Sequence, residues 1–226
     1  MCGRYTLYQT AEIPGRFGIS PKRVKELKER YNIAPGSLEP VIVQKTNDRS
    51  LETMKWGFMA PWMKDFKDMY KYKMFNTRAE GVFEKRTWKK AILNNRCLIP
   101  SNGFYEWIKT SNGKQPFFIK PKDQDLFAFA GVYGHWKDAE GNEWGTYSIL
   151  TTKPNREMST IHDREPVMLR PEDEDLWLEP SNDNPEAIAS LLKPYEDGML
   201  NIVEVSRDVN ATKSDEARFI QPIHAK

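Results

Sequence analysis

Residues 96–120 read RCLIPSNGFYEWIKTSNGKQPFFIK and decide the fold class. Three segments in this stretch, 97–99, 103–109 and 116–120, are rich in β-branched and aromatic residues, and they predict strands. The pair Asn112-Gly113 is typical of a tight hairpin turn, so the last two strands are expected to pair antiparallel. The stretch therefore predicts a mostly antiparallel sheet.

Further strands and a few helices are predicted on both sides of this stretch. A helix is expected from Ser20-Pro21, where serine caps and proline takes the first helical position, to Tyr31. Other helices are expected over 79–94 and near 171–178 and 185–192, and the strands are 4–8, 39–46, 51–56, 126–133, 144–151 and 200–205. The mixture predicts one α+β domain over residues 1–226, with a barrel-like β core flanked by helices.

Composition narrows the class of protein. The chain has 226 residues with 34 basic and 32 acidic side chains, a balance that neither demands nor excludes binding to nucleic acid. Its two cysteines, Cys2 and Cys97, do not make a disulfide framework. No secretory or membrane-spanning apolar run occurs, which predicts a cytoplasmic protein that has no membrane partner. Zinc-ligand spacings and phosphate-binding glycine motifs do not occur either, so no metal and no cofactor are expected.

The second residue, Cys2, carries the most unusual chemistry. If Met1 is removed, Cys2 has an α-amine and a thiol on adjacent carbons, and this pair can capture an aldehyde as a five-membered thiazolidine ring. An α-amine has a pKa of about 7.7–8.0, so much of it is an unprotonated nucleophile near neutral pH. The thiol needs thiolate character, and the cation of Arg4 is a candidate source. The alternative is that a small second residue only provides a start context.

Two further residues are candidates for proton transfer. Glu106 lies in a strand between Tyr105 and Trp107, where a desolvated carboxyl has the raised pKa of a general acid or base. Strand alternation favours another hypothesis, because inward-facing Tyr105 and Trp107 would turn Glu106 outward. His162 lies in a polar, loop-like segment beside Asp163, which suits either a functional or a structural histidine.

Basic and aromatic residues suggest a nucleic-acid surface. Residues 76–80 open the helix predicted near 79, and a helix start beside Arg78 suits an anion, although a capping segment with a surface arginine has the same pattern. The irregular stretch 57–78 combines aromatic residues such as Trp62 with the lysines at 64, 67, 71 and 73. Arginine and lysine hold phosphates while aromatic rings stack on bases, but the tryptophans also fit a core and the lysines a solvated face.

The motifs, weak singly, form an ordered set. Along the chain they are Met1–Arg4, Tyr31–Pro35, Trp56–Trp62, Asn76–Glu80, Arg96–Pro100, Gly103–Trp107, Gln115–Phe118, Ile149–Thr152 and Ile161–Pro166. Together they strongly resemble the SOS response-associated peptidase (SRAP) family. The resemblance runs from residue 2 to beyond residue 166 and implies the SRAP fold for the whole chain.

The resemblance also implies an activity. The family binds abasic sites in single-stranded DNA and forms a covalent DNA–protein crosslink, a thiazolidine on the N-terminal cysteine, that shields the lesion. By position, Cys2 is the nucleophile, Asn76 orients the opened sugar, Glu106 shuttles protons, and His162 protonates the sugar oxygen as the ring opens. The implied DNA contacts are Arg4 and Arg78 on phosphates, Trp62, Trp107 and the Pro35 loop as a wall against the bases, and Thr151 as a hydrogen-bonding residue of the site.

Two other functions remain open at this point. One is a thiol peptidase that uses Cys2, Glu106 and His162, with removal of its own Met1 as one such activity. The other is a non-covalent binder of single strands or junctions. The partner expected under the crosslinking hypothesis is single-stranded DNA that contains abasic sites, bound by a monomer that associates with the nucleoid.

Overall fold

The computed structural model describes residues 2–21, 27–46 and 48–223. Its strands are β1 Arg4–Leu7, β2 Arg30–Ile33, β3 Leu38–Gln44, β4 Arg49–Trp56, β5 Asn76–Arg78, β6 Arg96–Ser101, β7 Gly103–Thr110, β8 Gly113–Pro121, β9 Phe127–Lys137, β10 Glu143–Thr152, β11 Glu165–Pro166, β12 Met168–Leu169 and β13 Leu200–Glu204. Its α-helices are α1 Ile13–Phe17, α2 Lys67–Lys71, α3 Arg86–Asn94, α4 Glu174–Leu178 and α5 Pro185–Ser190.

Five of these strands close into a ring. The order β10-β4-β3-β6-β9 is completed because β9 also pairs with β10 in a long antiparallel hairpin. The β10–β4 pairing is parallel, as is the pairing of the short β5 with β10. Closure leaves no free edge within the ring, and its interior is filled by apolar side chains such as Ile99, Phe129 and Tyr147.

A second, antiparallel sheet packs on this barrel in the order β13-β8-β7-β1-β2. Tyr5, in β1, projects into the barrel. Its hydroxyl lies 2.8 Å from that of Tyr147, and its ring meets the edge of Trp56 at 5.1 Å between centroids. The sheet and the barrel therefore share one hydrophobic core.

The expected fold class is confirmed: the chain is α+β, with a mostly antiparallel, barrel-like β core and short helices around it. The strands of residues 96–120 pair through the predicted hairpin, in which Thr110 faces Gly113. Gly113 has a φ of +106°, a conformation that side chains other than glycine rarely adopt.

Two predicted helices differ from the structure. Residues 22–26 of the helix expected from Ser20 to Tyr31 lie outside the described residues, but its end is wrong, since Arg30–Ile33 form a strand paired with β1. The helix expected over 79–94 begins only at Arg86, after a single 3-10 turn at Ala79–Gly81. At Arg30–Ile33, strand pairing with distant residues outweighs local helix propensity. The predicted helices near 171–178 and 185–192 are confirmed in shortened form.

Close packing between β7 and β8 leaves no room for a side chain at Gly103. A Cβ atom there would lie 2.2 Å from Cζ of Phe118 and 3.0 Å from the carbonyl oxygen of Ile119. We expect Gly103→Ala to lower the free energy of unfolding by about 1–3 kcal/mol, measured by urea unfolding. The control is Gly15→Ala, in α1, where an added Cβ meets nothing within 4 Å and we expect no loss. Equal stability of the two variants would contradict this account of the packing.

Candidate functional site

The site begins where the two sheets meet. Cys2 precedes β1 and is buried, and its carbonyl oxygen accepts a hydrogen bond of 2.9 Å from Nδ2 of Asn76. Asn76 opens β5, which is attached to the barrel through β10. Oδ1 of Asn76 is buried and has no hydrogen-bond partner among the described residues. A buried amide oxygen of this kind can accept a hydrogen bond from a donor group of a substrate.

The Cys2 thiol is held in its neutral form. Burial raises its pKa well above the ordinary value, and the negative charge of Glu106 raises it further. The expectation that the Arg4 cation promotes the thiolate is wrong: the contact of the thiol with Arg4 is to the main-chain oxygen, 3.7 Å from Sγ. Any nucleophilic attack by this sulfur therefore needs a base to take its proton, and Glu106 is the carboxylate whose charge it feels.

Glu106 is buried, so the hypothesis of an outward-facing strand glutamate is wrong. Both faces of β7 are covered. Phe104, on the same face as Glu106, joins the main core, while Tyr105 packs with Val209 and Phe219 of the C-terminal region. The sequence does indicate this burial: Phe104 lies on one face of β7 and Tyr105 and Trp107 on the other, so both faces of the strand are apolar.

Arg4 and Trp107 are half-buried and adjacent. The guanidinium carbon of Arg4 lies 6.0 Å from the centroid of the Trp107 ring, within the range of a cation–π contact. Nη1 of Arg4 donates to Oδ1 of Asn32, at 2.5 Å, and to the carbonyl oxygen of Val209, at 2.9 Å. Nε1 of Trp107 donates to Oδ1 of Asn210 at 2.6 Å. The contacts of Asn32 and Asn210 were not predicted from the sequence, because no local pattern indicates that an asparagine contacts residues far along the chain.

The backbone around His162 fixes one nitrogen of its imidazole. The N–H of Arg164 donates to Nδ1 at 3.0 Å, which leaves the proton of the neutral ring on Nε2. The carboxylate of Asp163 lies 2.9 Å from the same Nδ1 and offers it a partner when the imidazole is protonated. The side chain is 28% exposed, so Nε2 belongs to a group that solvent or a ligand can reach.

Arg164 ties this loop to the barrel. Its guanidinium forms a bidentate pair with Glu80, at 2.6 and 2.8 Å, and donates to the carbonyl oxygen of Thr151 at 2.6 Å. The hydroxyl of Thr151 donates to the carbonyl oxygen of Thr77. Thr151 is thus buried between β5 and the His162 loop, with contacts inside the protein, and the Arg164–Glu80 pair was not singled out in the sequence.

The remaining predicted residues lie on more exposed parts. Arg78 ends β5 and is exposed; the expected helix start beside it is wrong, since only one 3-10 turn follows, at Ala79–Gly81. Trp62 is 54% exposed and its ring meets the edge of Tyr72 at 5.0 Å. The carbonyl oxygen of Pro35 accepts a hydrogen bond from the Tyr70 hydroxyl at 3.1 Å.

The structure brings Cys2, Asn76 and Glu106 together and ties Thr151 to the His162 loop. Cys97 is buried in β6, as expected. In the described part of the chain, no group of three histidine, cysteine or acidic residues is arranged to hold a metal ion. No helix within the described ranges is long and apolar enough to cross a bilayer.

Comparison with known proteins identifies the family. A family model described as SOS response associated peptidase (SRAP) matches residues 1–212. The chain belongs to this family. It is 40% identical over 224 residues to the abasic site processing protein YoqW of Bacillus subtilis, covering 98% of this chain and 99% of that protein.

More distant SRAP proteins are similar over most of the chain. The abasic site processing protein YedK of Escherichia coli is 28% identical to this chain. The alignment covers 99% of this chain and 100% of YedK. A crystal structure of a protein from Bacteroides thetaiotaomicron superimposes with a TM-score of 0.86 and 28% identity, covering 98% of this chain and 99% of that one. This neighbour has the same fold.

A buried carboxyl next to the His162 loop supports it from the other side. The oxygens of Glu165 accept hydrogen bonds from the backbone N–H groups of Tyr195, at 2.6 Å, and Asn155, at 2.7 Å. Burial raises the pKa of Glu165 to about 7, although these two donors oppose the rise. Glu165 therefore joins β11, which follows the loop, to two other surface segments.

The raised pKa makes stability depend on pH. The folded protein holds the Glu165 proton more tightly than the unfolded chain, so this contribution is complete below the ordinary pKa of 4.5 and is lost as the pH rises to about 7. We expect Glu165→Gln to flatten the fall in unfolding free energy over this pH range, measured by urea titrations at a series of pH values. The exposed Glu140→Gln is the control, and a slope for Glu165→Gln equal to the control's would contradict the assignment.

Proposed function

We propose that the chain, as one domain over residues 1–226 and as a monomer, binds abasic sites in single-stranded DNA and crosslinks to them through Cys2 once Met1 is removed. The observation that carries the proposal is the placement of Cys2, whose carbonyl is held by Asn76 and whose thiol lies within the field of Glu106. The relatives named abasic site processing proteins support the choice of substrate.

The proposed reaction balances as a condensation. The ring-opened abasic sugar is an aldehyde, and the α-amine of Cys2 adds to its carbon to give a carbinolamine. Loss of one water gives an imine, the sulfur then adds to the imine carbon, and the thiol proton passes to the imine nitrogen. The product is a thiazolidine, with one water released in all.

Each residue then has a role that fits its surroundings. Glu106 takes the proton from the neutral thiol and delivers it to nitrogen, a role that suits a buried carboxylate near the sulfur. His162 protonates the sugar ring oxygen through Nε2, because its Nδ1 is held by the backbone of Arg164. Oδ1 of Asn76 accepts a hydrogen bond from the opened sugar or from the linkage.

The DNA strand is bound by exposed cations and rings. Arg78 and the free edge of Arg4 hold phosphates, and Trp62, Trp107 and the Pro35 loop form the wall against which the bases stack. The exposed lysines 64, 67, 71 and 73, close to Trp62 in the chain, add positive charge on the same segment. Thr151 takes part through the loop contacts described above.

The alternative is a thiol peptidase that uses Cys2, Glu106 and His162, including removal of its own Met1. The family description favours it by name. The buried thiol favours it less, because a thiol peptidase attacks with the thiolate in its first step, and burial raises the pKa of Cys2. Capture of an aldehyde starts from the amine, and the thiol is needed only after the imine has formed. We therefore favour crosslinking.

The direct test is adduct formation. Purified protein is mixed with a single-stranded oligonucleotide that carries one abasic site, then analysed on a denaturing gel and by intact mass. We expect a heat-stable adduct with the mass of the protein without Met1 plus the oligonucleotide, less one water. Cys2→Ala keeps an α-amine but has no sulfur to close the ring, so we expect it to form no stable adduct.

Cys97→Ala provides the matched control for loss of a thiol, since Cys97 is also buried and free. We expect this variant to crosslink like the wild type. A stable adduct with Cys2→Ala, or no adduct from wild-type protein shown to lack Met1, would refute the proposed chemistry. Release of Met1 by wild type and not by Cys2→Ala, without any adduct, would favour the peptidase.

The phosphate contacts are tested by salt dependence. We expect Arg78→Ala to weaken binding of the same oligonucleotide and to reduce the slope of log Kd against log salt concentration by about one. Lys137→Ala is the control, because Lys137 is exposed on the β9–β10 hairpin and pairs with Glu143. Fluorescence anisotropy at several salt concentrations measures both, and an unchanged slope for Arg78→Ala would place Arg78 outside the interface.

A further inference from the structure

The C-terminal segment, residues 206–215, contacts Arg4 of β1 and Trp107 of β7. The carbonyl oxygen of Val209 accepts from Nη1 of Arg4, and the side chain of the next residue, Asn210, accepts from Nε1 of Trp107. Arg4 and Val209 are 205 positions apart in the chain. Consecutive residues of this segment thus hold the two side chains that the proposed function places on DNA.

Asn32 fastens the same segment from the other side. It is buried, its Oδ1 accepts from Arg4, and its Nδ2 lies within hydrogen-bond distance of the carbonyl oxygens of Val209, Ala211 and Ser214, at 3.2, 3.1 and 2.7 Å. A single amide therefore joins the guanidinium of Arg4 to three carbonyls of the segment. Asp215 continues the attachment by accepting from the backbone N–H of Tyr31 at 2.5 Å.

These contacts leave part of each side chain available. Nη1 of Arg4 is used inside the protein, whereas Nε and Nη2 make no hydrogen bond to any described residue. Trp107 is held by one edge and remains partly exposed. Fixing a long side chain before binding removes an entropic cost that otherwise weakens the complex.

We propose that Asn32 and the segment 206–215 are positioning elements of the DNA site: they hold Arg4 and Trp107 in the orientation that receives a phosphate and a base. The inference rests on the proposed function. It assigns a positioning role to Asn32, Val209 and Asn210, none of which is among the residues proposed to react with the sugar. The segment orients the binding residues and takes no part in the covalent step.

Asn210→Ala tests the proposal, since Asn210 is exposed and its loss spares the core. The probe is a single-stranded oligonucleotide with one tetrahydrofuran residue, an abasic analogue that has no aldehyde and reports binding alone. We expect Asn210→Ala to bind about three- to ten-fold more weakly, the effect of one lost hydrogen bond. In a Trp107→Phe background, which has no indole N–H, the same change should have no effect on Kd.

A second readout does not depend on DNA. The indole N–H signal of Trp107, assigned by its absence in Trp107→Phe, should move upfield in the ¹H–¹⁵N spectrum of Asn210→Ala. It should remain downfield, as a hydrogen-bonded N–H, in Asn210→Asp, which keeps an acceptor oxygen. Asn32→Ala should weaken binding more in the wild type than in Arg4→Ala, where only its effect through Trp107 remains. If Asn32→Ala does not fold, Asn210 alone carries the test.

The outcomes separate the two proposals. Wild-type protein that fails to bind or crosslink abasic DNA would overturn the proposed function itself. Wild-type binding with an unchanged Kd for Asn210→Ala would overturn the positioning role. So would equal losses in the wild-type and Trp107→Phe backgrounds, because Asn210 would then act independently of the indole.

Discussion

The register of β1 is the constraint on which the site depends. Tyr5 is inserted among Trp56, Phe129 and Tyr147 of the barrel, while the backbone of β1 pairs with β2 and β7 on its two sides. Side chains alternate along a strand, so a shift of one residue would turn Tyr5 out of the core and carry Cys2 away from Asn76. The buried phenol thus fixes the position of the residue that precedes the strand.

The sequence alone predicts what local patterns determine. Alternating apolar segments and the Asn112-Gly113 turn located the strands between 96 and 120, and the chemistry of an N-terminal aminothiol singled out Cys2. The burial of Glu106 was not predicted, because β7 was expected to have only one buried face. Its other face, with Tyr105, is covered by residues 205–220. The first two residues of the strand Arg30–Ile33 were assigned to the end of a helix, since the partner strand β1 lies more than twenty residues away.

Long-range hydrogen bonds account for most of what sequence reasoning missed. Arg164 contacts Glu80 and Thr151, and Asn32 contacts the C-terminal segment as far as Ser214. An arginine or an asparagine has no local pattern that reveals such a partner, whereas an apolar residue is placed by periodicity. The polar side chains that support the site are therefore visible only in the folded structure.

The burial of Cys2 also bears on how the thiol survives oxidants. Conversion of a cysteine to sulfenic acid follows its thiolate content and its accessibility, and Cys2 is low in both, being fully buried with a raised pKa. Peroxide has to reach this sulfur directly, whereas in the reaction proposed above an aldehyde is engaged first through the neighbouring amine. Burial thus slows oxidation of this sulfur relative to that of an exposed thiol.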